Sequence, residues 1–146
     1  MIVIRRAEEG DIPRIAEIEL EAISPPWTHG ALLSEIYRDD SFFVLAADSG
    51  AVLGFCILRR MGDDGELLKI AVCKPRRRQG IADMLMKAAL DYAEENSLEA
   101  VYLEVRESGE AAINLYNKHD LTPVGRRKEY YTRPVEDAVV MKREIC

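Results

Sequence analysis

Lys74-Pro75-Arg76-Arg77-Arg78-Gln79-Gly80-Ile81-Ala82 is the stretch on which the fold turns, because it separates an apolar run from an amphipathic one. Upstream, Leu67-Leu68-Lys69-Ile70-Ala71-Val72 reads as a buried strand. Downstream, Ile81, Met84, Leu85, Ala88, Ala89, Tyr92 and Ala93 recur at helical spacing and form one apolar stripe. Three arginines and a glycine therefore fall at a helix start, where exposed amide donors and a partial positive charge already disfavour cations. Cations make sense there beside an anion, most simply a phosphate or pyrophosphate held by backbone N–H groups. Gly80 lets the backbone come close to such a group. A solvated basic turn is the other reading of the same residues. A Walker-type loop is excluded, since no Gly-Lys-Ser/Thr follows, and the dinucleotide pattern G-x-G-x-x-G is absent.

A chain of 146 residues with 48% hydrophobic and 32% charged residues has the composition of an ordinary globule. One domain over residues 1–146 is expected from the length. The net charge of −6 argues against a nucleic-acid binder and is compatible with a basic peptide as substrate. No apolar run reaches the length of a membrane span, and Met1-Ile2-Val3-Ile4-Arg5-Arg6 is too short and too soon charged for a signal peptide. Cys56, Cys73 and Cys146 are odd in number, widely spaced and lack a C-x-x-C. They read as reduced thiols of a cytoplasmic protein. His29 and His119 have no ligand spacing around them, so no metal is expected.

Outward from the basic stretch, the chain divides into strands and helices. Ile2–Arg6 reads as a strand, followed by a helix capped at Asp11 and running to Ala22. Ser24-Pro25-Pro26-Trp27 breaks that helix, and Thr28 caps a second. Residues 42–47 and 52–58 form a hairpin about Asp48-Ser49-Gly50, and Asp63-Asp64-Gly65 turns into the strand ending near Val72. A helix over 79–96, a strand over 100–105, a helix over 110–119 and strands over 123–131 and 138–144 complete the order βααβββαβαββ. The strand–helix–strand unit implies a parallel pair with a right-handed crossover. Hairpins on either side extend it into a mixed, mostly antiparallel seven-stranded sheet flanked by about four helices, an α/β (α+β) fold.

A second constellation runs Leu103-Glu104-Val105-Arg106-Glu107-Ser108, then Ala111-Ala112-Ile113-Asn114-Leu115-Tyr116. In the strand, Val101, Leu103 and Val105 face one way, and Tyr102 and Glu104 the other. An ionised carboxylate in a helix-covered sheet needs a partner or a raised pKa. Glu104 is thus either a functional acid–base group or a structural one, paired at a split in the sheet with an arginine such as Arg106 or Arg127. Tyr116 is likewise either core or proton donor.

The spacing Arg77-x-x-Gly80-x-Ala82 matches the pyrophosphate loop of the GCN5-related N-acetyltransferases, and the element order resembles theirs along nearly the whole chain. Leu-Glu-Val-Arg-x-Ser, Ala-Ala-Ile-x-Leu-Tyr-x-Lys, Pro26-Trp27 and Arg127-Lys128-x-Tyr130-Tyr131 with Glu136-Asp137-Ala138 resemble the bacterial ribosomal-protein-alanine N-acetyltransferases. The resemblance implies acetyl-CoA as cosubstrate, Glu104 as proton acceptor and Tyr116 as proton donor. It implies pantetheine along Ile70, Ala71 and Val72, and pyrophosphate at the loop of Arg77, Arg78, Gln79, Gly80, Ile81, Ala82 and Asp83. It further implies that Tyr131 and Trp27 line a slot for the N-terminal peptide of a ribosomal protein, although Trp27 reads equally as a core anchor. A monomer or weak dimer is expected, with no nucleic-acid or membrane partner. Three positions depart from the pattern: Gly109 replaces an asparagine that contacts the cofactor, Asp120-Leu121 replaces Gly-Phe, and Asp83 replaces a basic residue.

The chemistry fits such groups. An α-amino group titrates at about 8 and a lysine at about 10.4, so the former is the easier nucleophile near neutral pH. A carboxylate takes its proton, a backbone N–H of the Ile70–Val72 strand stabilises the oxyanion, and a tyrosine hydroxyl protonates the departing thiolate. Three other readings keep parts of this: a lysine or small-molecule amine as acceptor, a non-catalytic acyl-CoA-binding module, and an acyl-carrying Cys56 or Cys73. No histidine is placed by sequence to activate either thiol.

Overall fold

Alternating and periodic apolar residues become strands and helices in the order the sequence implies. The computed structural model describes residues 1–22 and 26–146. Strand β1 (Ile2–Arg6) leads through a 3-10 turn at Glu9–Asp11 into helix α1 (Ile12–Ala22), then α2 (His29–Ile36), β2 (Ser41–Asp48), β3 (Ala51–Met61) and β4 (Asp64–Val72). A second 3-10 turn at Lys74–Arg76 precedes α3 (Ile81–Glu95), β5 (Ala100–Arg106), α4 (Glu110–Lys118), β6 (Thr122–Thr132) and β7 (Val135–Glu144).

Local chemistry sets the boundaries. Thr28 caps α2 as expected, its hydroxyl accepting from the Ala31 N–H at 3.1 Å. Asp11 acts one turn earlier than expected: it ends the 3-10 turn, and its carboxylate accepts from the Glu8 N–H at 2.8 Å. Helix α3 begins at Ile81, two residues later than expected, because Arg78 (φ 61°) and Gly80 (φ 80°) are left-handed and cannot belong to it. Asp120, in place of glycine after α4, takes a left-handed φ of 65° and delivers Leu121 into the core. The helix break expected at Ser24-Pro25 lies outside the described residues.

The sheet runs β1-β2-β3-β4-β5-β7-β6, and every neighbouring pair is antiparallel except β4 with β5. Helix α3 packs on one face, where the Leu85 carbonyl receives the Cys56 thiol at 3.7 Å. Helices α1 and α2 pack on the other, through Glu19 with Lys69 and Glu35 with Arg59. Between the layers, Phe55, Leu45, Ile57, Leu58, Ile81 and Leu85 are essentially sealed from water. Side chains of this size contribute roughly 1.5–3 kcal/mol each by burial. Among the described residues no helix is long and apolar enough to cross a membrane.

Two irregularities in β4 break the regular sheet. Parallel pairing of β4 with β5 is confined to Gly65 with Val101 and Glu66 with Tyr102, after which the strands diverge. On the other edge of β4, Leu67 pairs with Leu58 and Lys69 with Ile57, leaving Leu68 as an extra residue. Because of that bulge Glu66, opposite Arg59, and Lys69, opposite Ile57, emerge on the same face three residues apart. Leu85→Ala should lower stability by about 3 kcal/mol with an unchanged denaturant slope, measured by urea unfolding. A loss below about 1 kcal/mol would mean that α3 does not close the core.

Candidate active site

Where β4 and β5 part, a cleft of about 810 Å³ opens, and most of the chemically capable side chains face it. Glu66, Lys69 and Ile70 come from β4, Glu104 and Arg106 from β5, Gly109, Ala112 and Tyr116 from α4, and Tyr130 and Tyr131 from β6. Glu104 is therefore at a split in the sheet, as its charge demands. Its Oε1 lies 3.3 Å from Arg127 Nε, one of the two arginines that the sequence offers as partners. Its Oε2 is buried and has no hydrogen-bond partner among the described residues. Tyr116 is 7% exposed. Burial, with Tyr131 and Cys56 adding to it, pushes its hydroxyl well above the ordinary tyrosine value, so it holds its proton at neutral pH.

Glu66 does not stand out in the sequence, where it passes for the polar end of a strand. Burial in the cleft, reinforced by the charge of Glu104, raises its carboxyl above the usual range, against the pull of Arg127 and Arg59. No periodicity argument finds it, since the Leu68 bulge decides which way it points.

The tyrosine wall is held by the motifs that flank it. Arg106 donates to the Pro134 carbonyl at 3.1 Å and the Arg133 carbonyl at 3.3 Å, and lies 4.3 Å from the centre of the Tyr131 ring. Glu136 accepts from the Ser108 hydroxyl at 2.8 Å and its N–H at 3.1 Å. The Arg-x-Ser at the end of β5 and the Glu-Asp-Ala of β7 thus lock each other. Tyr130 and Tyr131 meet edge to face at 5.1 Å. Burial first, and then Glu104, push the Tyr131 hydroxyl up to about 12.

Trp27 also lines the cleft. It is tied to the interior: its backbone N–H donates to Glu19 Oε1 at 2.8 Å. The same oxygen lies 2.6 Å from Lys69 Nζ, which sits 4.7 Å from the centre of the Trp27 ring.

The basic loop lies at the far end of β4. Gly80 caps α3 without a side-chain bond, so the N–H groups of Ile81, Ala82 and Asp83 have no helical partner. Arg76 is committed within the protein, to Gln79 at 2.9 Å and Asp48 at 3.5 Å. Arg77 donates through Nε to the Val72 carbonyl at 2.9 Å. Arg78 is exposed and forms no ion pair with any described residue. The Asp83 carboxylate is taken by His119 at 2.8 Å and Lys118 at 3.1 Å, which leaves its N–H to the helix start. A phosphate fits this arrangement of free amides and a free guanidinium. Ile70, Ala71 and Val72 connect the loop to the cleft along a β4 edge that β5 has left. Gly109 caps α4 in a tight turn, where a Cβ would come within 3.1 Å of the Arg106 carbonyl.

Cys56 and Cys73 are buried, and burial pushes the Cys56 thiol up to about 12. A thiol held protonated in this way is a poor acyl carrier.

This geometry has close counterparts. A model of the acetyltransferase (GNAT) family matches residues 12–120. The chain is 32% identical over 147 residues to the ribosomal protein bS18-alanine N-acetyltransferase of Escherichia coli, spanning 99% of each. It is 30% identical over 139 residues to the putative ribosomal protein bS18-alanine N-acetyltransferase of Bacillus subtilis, spanning 94% of this chain and 92% of that one. The crystal structure of the ribosomal-protein-S18-alanine N-acetyltransferase from E. coli superposes with a TM-score of 0.91 at 30% identity, covering 99% of this chain and 94% of that one. Ard1 from Thermoplasma volcanium gives a TM-score of 0.91 at 25% identity, covering 99% and 98%.

Glu66 makes a pH-dependent contribution whose sign follows from its raised carboxyl. Between the ordinary carboxylate range and the raised folded value, the folded chain keeps a proton that the unfolded chain has released. Stability therefore falls as pH rises through that window. Glu66→Gln should raise Tm relative to wild type at pH 7, and the advantage should fade below about pH 4. An equal advantage at both pH values would show that titration is not its source.

Proposed function

The chain belongs to the GNAT family of acetyltransferases, and we propose that it acetylates the α-amino group of an N-terminal alanine of a ribosomal protein, with acetyl-CoA as donor. The observation that carries this reading is the continuity of one surface. Free amides and Arg78 at the α3 start suit a pyrophosphate, the open edge at Ile70–Val72 suits pantetheine, and the cleft then widens between Glu104 and Tyr116. The relatives named for bS18-alanine acetylation, at about 30% identity over nearly the full chain, support the choice of acceptor.

In this reading the amine enters between Trp27 and Tyr131 and meets Glu104. The carboxylate, in reach of Arg127, accepts the amine's proton directly or through a water. The neutral nitrogen attacks the thioester carbonyl, and a backbone N–H of the Ile70–Val72 edge receives the developing oxyanion. Tyr116, kept protonated by its apolar surroundings, delivers a proton to the departing sulfur. No bond to the protein forms, in keeping with the buried thiols. The narrow space between two aromatic walls suits a small first residue, and the net charge of −6 favours basic residues after it.

Purified protein incubated with acetyl-CoA and peptides differing only in their first residue should acetylate alanine-first peptides fastest, with rates that fall as salt rises. Faster modification of an internal lysine in an N-terminally capped peptide would overturn the choice of acceptor. Glu104→Gln and Tyr116→Phe should each lower kcat by about a hundredfold or more, while coenzyme A binding stays intact. Wild-type turnover in either variant would return that residue to a structural role. Coenzyme A should raise Tm by mass action and pantetheine far less, with the shift lost in Gly80→Val, where a branched side chain must adopt a φ of 80°. Equal stabilisation by pantetheine would refute the phosphate loop.

A further inference from the structure

The pair formed by Glu19 of α1 and Lys69 of β4 has no part in the proton transfers of acetylation, yet it is the most deeply buried ion pair described. Their side chains are 0% and 6% exposed. Buried pairs of this kind rarely improve on apolar residues of similar volume, so their presence calls for a role beyond stability. This one is also incompletely satisfied, since Glu19 Oε2 has no hydrogen-bond partner among the described residues. What the pair does hold is Trp27. Glu19 fixes its backbone through the N–H at 2.8 Å, and Lys69 fixes its ring from 4.7 Å. The Leu68 bulge gives Lys69 this position, and Lys69 lines the cleft beside Trp27.

We propose that Glu19 and Lys69 are positioning residues that clamp Trp27 as the wall against which the acceptor's first side chain packs. Selection of a small first residue thus depends on a buried charge pair that takes no part in the proton transfers. The inference rests on the N-terminal acetyltransferase reading. Without Lys69, the indole loses its cation and Glu19 its countercharge. Without Glu19, the Trp27 backbone loses its acceptor. In either case the wall can withdraw, and a larger first residue gains room.

The test uses the full chain and the fact that Trp27 is its one tryptophan, so fluorescence excited selectively at tryptophan, beyond tyrosine absorption, reads this wall alone. The double variant Glu19→Gln/Lys69→Met removes both charges at nearly constant volume. It should keep coenzyme A affinity and most of kcat, raise KM for an alanine-first peptide about tenfold, and reduce the preference for alanine over leucine by a similar factor. Its Trp27 emission should shift to the red and quench more readily with acrylamide. Lys69→Arg, which keeps the cation, should retain most of the selectivity and serves as the second reading if the double variant does not fold. Trp27→Ala should have the same effect on KM, and adding it to the double variant should change little further, because both act through one contact. An unchanged KM and alanine-to-leucine ratio in the folded double variant, additive effects with Trp27→Ala, or loss of selectivity in Lys69→Arg would each overturn the clamp. Failure of the wild type to acetylate any N-terminal amine would instead defeat the proposed function, while the fluorescence and quenching still report whether the pair holds Trp27.

Discussion

The site depends on the early end of one strand pairing. Strands β4 and β5 share only the Gly65–Val101 and Glu66–Tyr102 register before they diverge. A sheet continued to Val72 would bury the β4 edge in a ladder and press Glu104 between strands without room for a substrate. The split leaves backbone groups of Ile70–Val72 unclaimed by β5 and gives a strand carboxylate access to a cleft. Helix α3 sets the remaining limit, since its apolar face fixes β4 against the core while its uncapped start stands at the strand's end. The free amides at the helix start and the cleft of Glu104 and Tyr116 are thereby joined by one strand edge that β5 leaves unpaired.

Charge is distributed along that edge in a way that stability alone does not explain. Glu66 and Glu104 face the same cleft, and the charge of Glu104 opposes ionisation of Glu66. Arg127 reaches Glu104 from an exposed strand, so the contact is screened and exchangeable. Deeper in, the Glu19–Lys69 pair replaces what could have been an apolar contact between α1 and β4. The flanking arm, by contrast, is organised near the surface, where half-buried Arg106 and Glu136 meet and exposed Ser108 donates to Glu136. The cleft therefore has one wall anchored in the core and one anchored at the surface.

Much of this was legible in the sequence because it follows from local rules. The helix-start glycine, the Thr28 cap and the crossover between strands of a parallel pair each express a short-range constraint. Glu104 was visible because a carboxylate breaks an apolar strand. Glu66 and the Glu19–Lys69 pair were not. Glu19 occupies a stripe position of α1 beside Ile12, Ile15 and Ile18, where helical periodicity alone does not distinguish a buried acid from one at the border of the stripe. Its partner's direction is set by a bulge at Leu68 that alternation does not reveal. Asp83 read as part of an anion loop, and only the fold brings Lys118 and His119 to its carboxylate. What escaped the sequence is what depends on register and on contacts between distant segments.

The central claim is that donor and acceptor meet within the β4–β5 split, each held by its own end of one surface. The most direct measurement is calorimetric binding of a conjugate in which coenzyme A is joined through its acetyl group to the amino group of an alanine-first peptide. If both halves lie along the same edge, the conjugate should bind at least about a hundredfold more tightly than coenzyme A, because the second contact is made at high effective concentration. A conjugate that binds no better than coenzyme A, or no better than one linked through a lysine side chain of a capped peptide, would contradict the account.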